Sequence, residues 1–511
     1  MTATPLLAGV DAGTTRIRAL LFEPDGTIAA EGSAPTPTIQ PRPGWAHHEA
    51  EALWRATAEA LRQATAKIDD PGRIRGVAVA SVGEAAVPLD AKGEPTYHAI
   101  AWFDQRTVDE FAWLERTIGA EELFTLTGLN AKPIHGLNKL LWLKANEPDA
   151  YARTKSWLNI ADYLAWRLSG VAATDYSIAS RTLALDLRSL EWAGDLLAEV
   201  GVPPSLFQPL RPSGARLGPV TNEAARQTGL PESCVVGVGG HDHILGALAA
   251  GAWQEGVVVN SLGTAEALLV ALDRPIDGVE LGRGGYSQGA IFVDRPSYYA
   301  VGGLITSGAA IEWFRGLLGG GISDAELIAE GEAAPPGSLG VCFLPHLRMA
   351  SPPRPDAAAR GAFLGLGTET GRGVLYRAVL EGIAYDARAI LEGLLEFSGM
   401  PGVRSLRAIG GSTRNRLLMA IKAAVYDREI TVAEMPETVS LAAAILGGLA
   451  AGVYTDFAGA LAGIARRETV VKPEPGLAAL YDRGFREVYC PACEALDPLH
   501  QAALAIDRAD R

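Results

Sequence analysis

The chain has 511 residues, 48% of them apolar and 20% charged, the balance of a globular protein too long for one hydrophobic core. Its formal charge of −14 excludes a broad nucleic-acid or anionic-membrane surface, since both partners are polyanions, but not a nucleotide, which needs only local donors and a cation. Four cysteines (Cys234, Cys342, Cys490, Cys493) are too few for a disulfide framework, and with no leader-like start and no bilayer-length apolar run the expectation is a cytoplasmic enzyme.

Leu6–Val10 has the pattern of a buried strand, Gly13-Thr14-Thr15 that of a tight turn, and Ile17–Phe22 that of a second strand, which Thr27–Gly32 extends into a meander. Glu49–Lys67 carries apolar residues at helical spacing, Ile74–Val79 is a strand, and Val108–Leu168 is helical with breaks at Gly128, Pro133 and Pro148. Strand Val235–Val238 runs into Gly239-Gly240-His241-Asp242-His243 and the helical pattern Ile244–Ala252. From Gly256 the opening plan recurs: Val257–Ser261, a Gly263-Thr264 turn, then Ala267–Leu272. This internal symmetry predicts an α/β protein duplicated into two domains, 1–247 and 248–490, with a peripheral tail over 491–511. Pro335–Pro355 is expected to be an ordered loop within the second half.

The first turn has the makings of a phosphate loop. Gly13 lets an anion approach backbone N–H groups, Thr14 and Thr15 add hydroxyls, Arg18 adds a cation, and Asp11 is a hard oxygen ligand suited to Mg²⁺. A hairpin that merely contains Gly and Thr would look the same. The second turn at Gly263-Thr264 shifts the balance, because two such turns in repeated strand contexts suit two phosphate contacts across a cleft. Asp242 has two roles open to it, helix N-cap and general base, and these are compatible, since a helix N-terminus favours the ionised carboxylate. His241 and His243 flank it, either as hydroxyl ligands or as packing at the domain junction; a zinc site lacks a third nearby ligand. Cys490-Pro491-Ala492-Cys493 has no accompanying Cys or His pair and is taken as structural.

Taken together, Asp11–Thr15, Gly263-Thr264, Arg377–Ala384, Ile409-Gly410-Gly411-Ser412-Thr413-Arg414-Asn415 and Glu437…Leu441–Ala444 resemble the motifs of the FGGY carbohydrate kinases, over residues 6 to about 490. The resemblance implies two duplicated actin-like (ribonuclease H-like) ATPase domains with an interdomain cleft. It makes Gly410, Gly411 and Asn415 an adenosine motif, with Gly308 counted among the nucleotide-binding glycines, and places the catalytic aspartate of the Gly-Gly-x-Asp context at Asp242. Acceptor recognition falls to Glu84, to the segment Trp102-Phe103-Asp104-Gln105-Arg106, to His241 and, more distantly, to His135 and Asn138. Where the glycerol-kinase branch has Arg before that Glu, this chain has Gly83, a departure that argues against glycerol; Ala420, Ala424 and Ala442 are further departures near the adenosine motif. Gly44-Trp45 match another family segment, but His47 and Glu49 depart from it.

The implied activity is transfer of a phosphoryl group from Mg-ATP to a ketose, such as a pentulose or hexulose, or to a polyol, with Asp242 as base. A homodimer fits the resemblance. The alternative is a non-catalytic actin-like nucleotide switch or scaffold, against which a base beside a sugar face counts.

Overall fold

The structure, a computed structural model, describes residues 4–509 apart from 320, 401, 435–436 and 465–466. Two seven-stranded sheets organise it. The path of the first runs Arg216–Pro219, Val235–Gly237, Ile74–Ser81, Leu6–Ala12, Arg16–Phe22, Ile28–Pro35, with Gly240–His241 pairing off this path onto Ile74–Ser81. The second runs Ser287–Phe292, Pro296–Leu304, Glu266–Leu272, Val257–Leu262, Ser405–Ile409, Ile430–Glu434, Arg467–Val471.

The sheets repeat one plan. In each, the opening strand pairs antiparallel with its successor and parallel with a strand from much later in the chain: Leu6–Ala12 with Ile74–Ser81, and Val257–Leu262 with Ser405–Ile409. These opening strands are apolar on both faces and almost fully buried, as central strands covered by helices must be. This is the two-domain α/β architecture expected from the repeated hairpins.

The halves are joined by a core of their own. The helices Asp242–Ala249 and Thr438–Ala450 bury Leu245, Leu248, Leu441 and Ile445 with Leu7 and Ala78 of the first sheet and Val257 and Leu269 of the second. Thr438–Ala450 comes from the second half yet lies flush on the first sheet, and glycines permit it: a Cβ at Gly9 would collide with the Ser440 carbonyl, and one at Gly76 with that of Gly447. Overfilling such a contact typically destabilises by ~1–3 kcal/mol.

Several expectations shift in detail. A boundary after residue 247 would cut the helix Asp242–Ala249. The helical run does break at Pro148, where Gly136–Asn146 has ended and Pro148 opens the separate helix Pro148–Arg153, as the missing N–H allows at a first turn. The segment after 490 continues as the helix Cys490–Ala509, with Pro498 inside it and Cys490 and Cys493 packed against the core of the second half. Within Pro335–Pro355, Cys342–Leu344 forms a ribbon with Ala362–Leu364. Among the described residues, no helix is long and apolar enough to cross a membrane.

Candidate active site

Register in the first sheet gathers the site. Ala12 and His241 both stand opposite Ser81 in parallel pairings, so three neighbouring strands end at one edge. Just before or beyond these ends come Asp11, Glu84 and Asp242. The carboxyl edge of parallel strands is where α/β sheets place ligands. Gly239 and Gly240 make the third strand's approach possible: a Cβ at Gly239 would collide with the Val79 carbonyl, and one at Gly240 would lie 2.9 Å from Ser177 Oγ. Ser177 Oγ accepts from the His241 backbone N–H at 2.9 Å and donates to Asp175 at 2.7 Å, pinning the loop.

Asp242 is the first residue of its helix, with His241 at the N-cap in extended conformation. It is therefore not the cap considered from sequence. Its Oδ1 accepts from the His243 N–H at 2.6 Å and lies 3.4 Å from His241 Nε2. Burial pulls His241 down to about 4, against the opposing pull of Asp242 and Glu84, so the ring is neutral near pH 7. Asp11 makes no side-chain hydrogen bond among the described residues. Burial first, and then the charges of Asp242 and Glu437, raise its pKa to about 7 against the opposing pull of Arg18. Arg18, the cation that favours the ionised form of Asp11, is already engaged: it is paired with Glu437 across the two halves. Glu437, which the sequence showed only as part of a motif, holds a left-handed backbone (φ 58°), a conformation that non-glycine residues keep mainly at functional or strained sites.

Glu84 is buried. Burial opposes its ionisation, but the Arg181 guanidinium outweighs that and holds the pKa at about 2. Lys139 Nζ donates to the Glu84 carbonyl and braces the turn from beneath. Arg181 escaped sequence reasoning; its only signal was the empty side-chain position at Gly83. His135 is 2% exposed, with neither ring nitrogen hydrogen-bonded. Burial first, and then the Arg181 charge, bring its pKa down to about 3. Asn138, also buried, donates instead to the Lys132 carbonyl at 2.9 Å.

The Trp102 segment divides. Trp102 Nε1 donates to Thr14 Oγ1 at 2.9 Å, tying the indole to the first turn. Asp104 does not face the acceptor as expected: Arg106 takes both of its oxygens at 2.8 Å, the Ala46 N–H adds a further donor, and its side chain is 0% exposed. Its role is to hold the loop that carries Trp102.

In the second half, Gly263 and Thr264 stand at the tip of the recurring hairpin, exposed, with Gly410 and Gly411 beyond the end of the neighbouring parallel strand. Gly410 has φ 101°, and a Cβ there would collide with the Leu262 carbonyl. Gly308 N donates to the Gly263 carbonyl at 3.1 Å at the start of helix Gly308–Leu317. Asn415 caps the helix Arg416–Tyr426, accepting from Leu418 N–H at 3.1 Å and donating to Tyr376 at 2.9 Å. Beneath the turn, Glu266 binds Lys422 at 2.6 Å, Asn260 at 2.9 Å and Ser307 at 2.8 Å, a sealed network that sequence reasoning missed.

Three potential metal ligands, His47, Glu49 and His98, cluster beside the His47–His48 and Ala99–Ile100 ribbon. The two imidazoles stack with planes 13° apart, so their in-plane lone pairs do not converge on one ion. The cysteines are all free thiols.

The pattern for the FGGY family of carbohydrate kinases matches the chain in its N-terminal domain over residues 6–249 and in its C-terminal domain over 258–451. A glycerol kinase from Gloeobacter violaceus is 33% identical over 461 residues, covering 88% of this chain and 89% of that one. A xylulose kinase from Bacillus subtilis is 27% identical over 447 residues, 87% of this chain and 88% of that one. The crystal structure of xylulose kinase from Rhodospirillum rubrum superposes with a TM-score of 0.88 at 29% identity, covering 97% of this chain and 100% of that one.

Proposed function

The chain belongs to the FGGY family of carbohydrate kinases, and from that premise we propose that it moves the terminal phosphoryl group of ATP to a hydroxyl of a small sugar or polyol, with Asp242 as the base. One observation supports the residue assignment above others: Asp11, Glu84 and Asp242 adjoin the carboxyl ends of three parallel strands held in register. Base, acceptor ligand and phosphate turn then share one edge.

Asp242 accepts the acceptor's hydroxyl proton as the oxygen bonds to the γ-phosphorus and ADP leaves. His241, neutral and adjacent, helps to orient the carboxylate. Thr14 and Thr15 offer hydroxyls to the phosphates from the first turn and Thr264 from the second, while Gly13, Gly263 and Gly308 keep the backbone approachable. The exposed Gly410-Gly411 edge suits the nucleoside. Asn415 serves it through the helix it caps, and Asp104 through the loop it holds.

A divalent cation fits beside Asp11. A carboxylate without a hydrogen-bond partner, raised to about 7 by burial and by two neighbouring acids, is the donor chemistry that magnesium relieves. Bound with ATP, Mg²⁺ would neutralise phosphate charge. A cytoplasmic location, where ATP is at hand, fits the same reading, as does a division into an acceptor side before, and a nucleoside side after, the turn at 250–256.

The test is ADP release over a panel of ketoses, polyols and aldoses with Mg-ATP. At least one acceptor should raise turnover well above the acceptor-free rate. A panel that never does so would favour the nucleotide switch.

A further inference from the structure

The loop that carries Asp242 is not held by its own half alone. Asp175, buried at the N-cap of the Tyr176–Ala179 helix, accepts four hydrogen bonds. Its Oδ2 takes the Ser177 N–H at 3.0 Å, the Ser177 hydroxyl at 2.7 Å and the Ser213 hydroxyl at 2.9 Å, and its Oδ1 takes the Ile178 N–H at 2.9 Å. A hydroxyl that donates its proton to Asp175 has only lone pairs left to offer, and Ser177 Oγ receives the His241 N–H with them. The carboxylate thereby fixes how the Ser177 hydroxyl points, and with it the residue before Asp242. Gly240 leaves no slack: a Cβ there would lie 2.9 Å from Ser177 Oγ and 3.1 Å from Asp175 Oδ2.

The same short segment grips the other half. Ser287–Phe292 is the edge strand of the second sheet, paired on one side with Pro296–Leu304. On its other side an edge strand turns the N–H and carbonyl of every second residue outward. At 288, 290 and 292 the first half meets them. The Gln288 N–H donates to the Gly128 carbonyl at 2.7 Å, the Ala290 N–H donates to Ser180 Oγ at 2.9 Å, and the Phe292 carbonyl accepts from the Ser213 N–H at 2.7 Å. Ser213 thus joins the edge strand through its N–H and Asp175 through its hydroxyl, while Ser180 closes the helix that Asp175 opens. In-line transfer needs the base set against a phosphate that the second half's turn at Gly263-Thr264 helps to hold, and a misplacement of about 1 Å can cost ~10²-fold. Resting on the kinase reading, we infer that Asp175 is a positioning residue for the base: through Ser177 and Ser213 it ties the His241-Asp242 loop to the edge strand of the second half, so that Asp242 keeps its place relative to the half that presents the nucleotide.

The test sets steady-state kinetics beside amide hydrogen exchange in the full chain. Ser177→Ala removes the acceptor of the His241 N–H and should lower kcat with the best acceptor ~10–100-fold, while KM for acceptor and ATP stays within about threefold. Ser177→Thr keeps the hydroxyl and should recover most of the loss. Asp175→Asn, equal in size but with one acceptor oxygen fewer, should reproduce the Ser177→Ala defect. Ser213→Ala takes away one donor of the four and is the gentler change, so kcat should fall ~3–10-fold in the same pattern. In the Asp242→Asn background, Ser177→Ala should cost less than ~2-fold further, because a residue that acts through the base has nothing left to position. Ser180→Ala breaks the bond to Ala290, leaves the side-chain bonds of Asp175 intact, and should raise exchange at the His241 amide ~10-fold. A Ser177→Ala variant with lower Tm and unchanged kcat makes the network structural and overturns the inference, as does a full-sized kcat loss on the Asp242→Asn background. Unaltered His241 exchange in Ser180→Ala overturns the link to the second half. If no acceptor supports turnover in wild type, the kinase reading falls; faster His241 exchange in both Ser177→Ala and Ser180→Ala then still upholds the tie between loop and edge strand, and its absence sinks both.

Discussion

Two residues before Gly13 the first hairpin carries Asp11, and at the equivalent place before Gly263 the second carries Ser261. Beneath the second turn, Glu266 and Lys422 form an ion pair whose side chains are both 0% exposed, with Asn260 and Ser307 filling the remaining valences. Among the described residues the first turn has no such anchor, and its acid is half-buried, without a hydrogen bond, and raised to about 7. Duplication supplied one scaffold twice. One copy became a rigid cradle with its electrostatics settled internally, while the other kept an unsettled charge that a ligand can settle. Buried polar groups left without partners are rare in proteins unless something else binds them.

The comparison breaks first at Lys422. Lys422→Met leaves the Glu266 carboxylate buried and unpaired, which should destabilise by ~3–5 kcal/mol in denaturant unfolding. The double variant Lys422→Met/Glu266→Gln should recover a large part of that loss. A single-variant loss below ~1 kcal/mol would mean that the cradle does not rest on this pair.

Asp11 should behave in the opposite way. Its folded pKa is above the unfolded value, so between about 4 and 7 the folded state holds the extra proton and stability falls as pH rises. Asp11→Asn removes that penalty. Without divalent cation, the variant should match wild type near pH 4 and exceed it by ~2–4 kcal/mol at pH 8. Added Mg²⁺ should stabilise wild type more than the variant, and the variant's turnover defect should ease as Mg²⁺ is raised. A loss of stability equal at every pH would make Asp11 a structural residue like Glu266.

The smallest effect is expected at Trp102. Its indole N–H holds Thr14 at 2.9 Å, so Trp102→Phe should free the first turn at a cost of ~1 kcal/mol. KM for ATP should rise severalfold along with that for the acceptor. A change confined to the acceptor would return Trp102 to the sugar face alone.

Local signals gave the duplicated hairpins, the glycine-rich turns and the Gly-Gly-x-Asp loop, because each is a short apolar strand followed by glycines whose backbone role can be read from neighbours. Register was not legible, and register is what sets Ala12 and His241 both against Ser81. Pairings between distant residues escaped for the same reason: Arg181 with Glu84, Lys422 with Glu266, and Glu437 with Arg18 join segments that no sequence window contains. Asp104 misled because a carboxylate two residues from an arginine looks the same whether it meets a ligand or closes a buried ion pair. Asn415 and Asp242 show the converse for helix starts. The amide that resembled a nucleoside contact also caps a helix, and the carboxylate that resembled an N-cap stands one residue inside the helix.

The central claim, that Asp242 is the base of a sugar kinase, is tested most directly by Asp242→Asn. The amide is nearly isosteric and its oxygen can still accept from the His243 N–H, so the helix start should survive. Turnover with the best acceptor should fall ~10²–10⁴-fold, while Tm and calorimetric affinities for acceptor and ATP analogue stay near wild type. A variant that folds, binds both ligands and retains near-normal turnover would contradict the account.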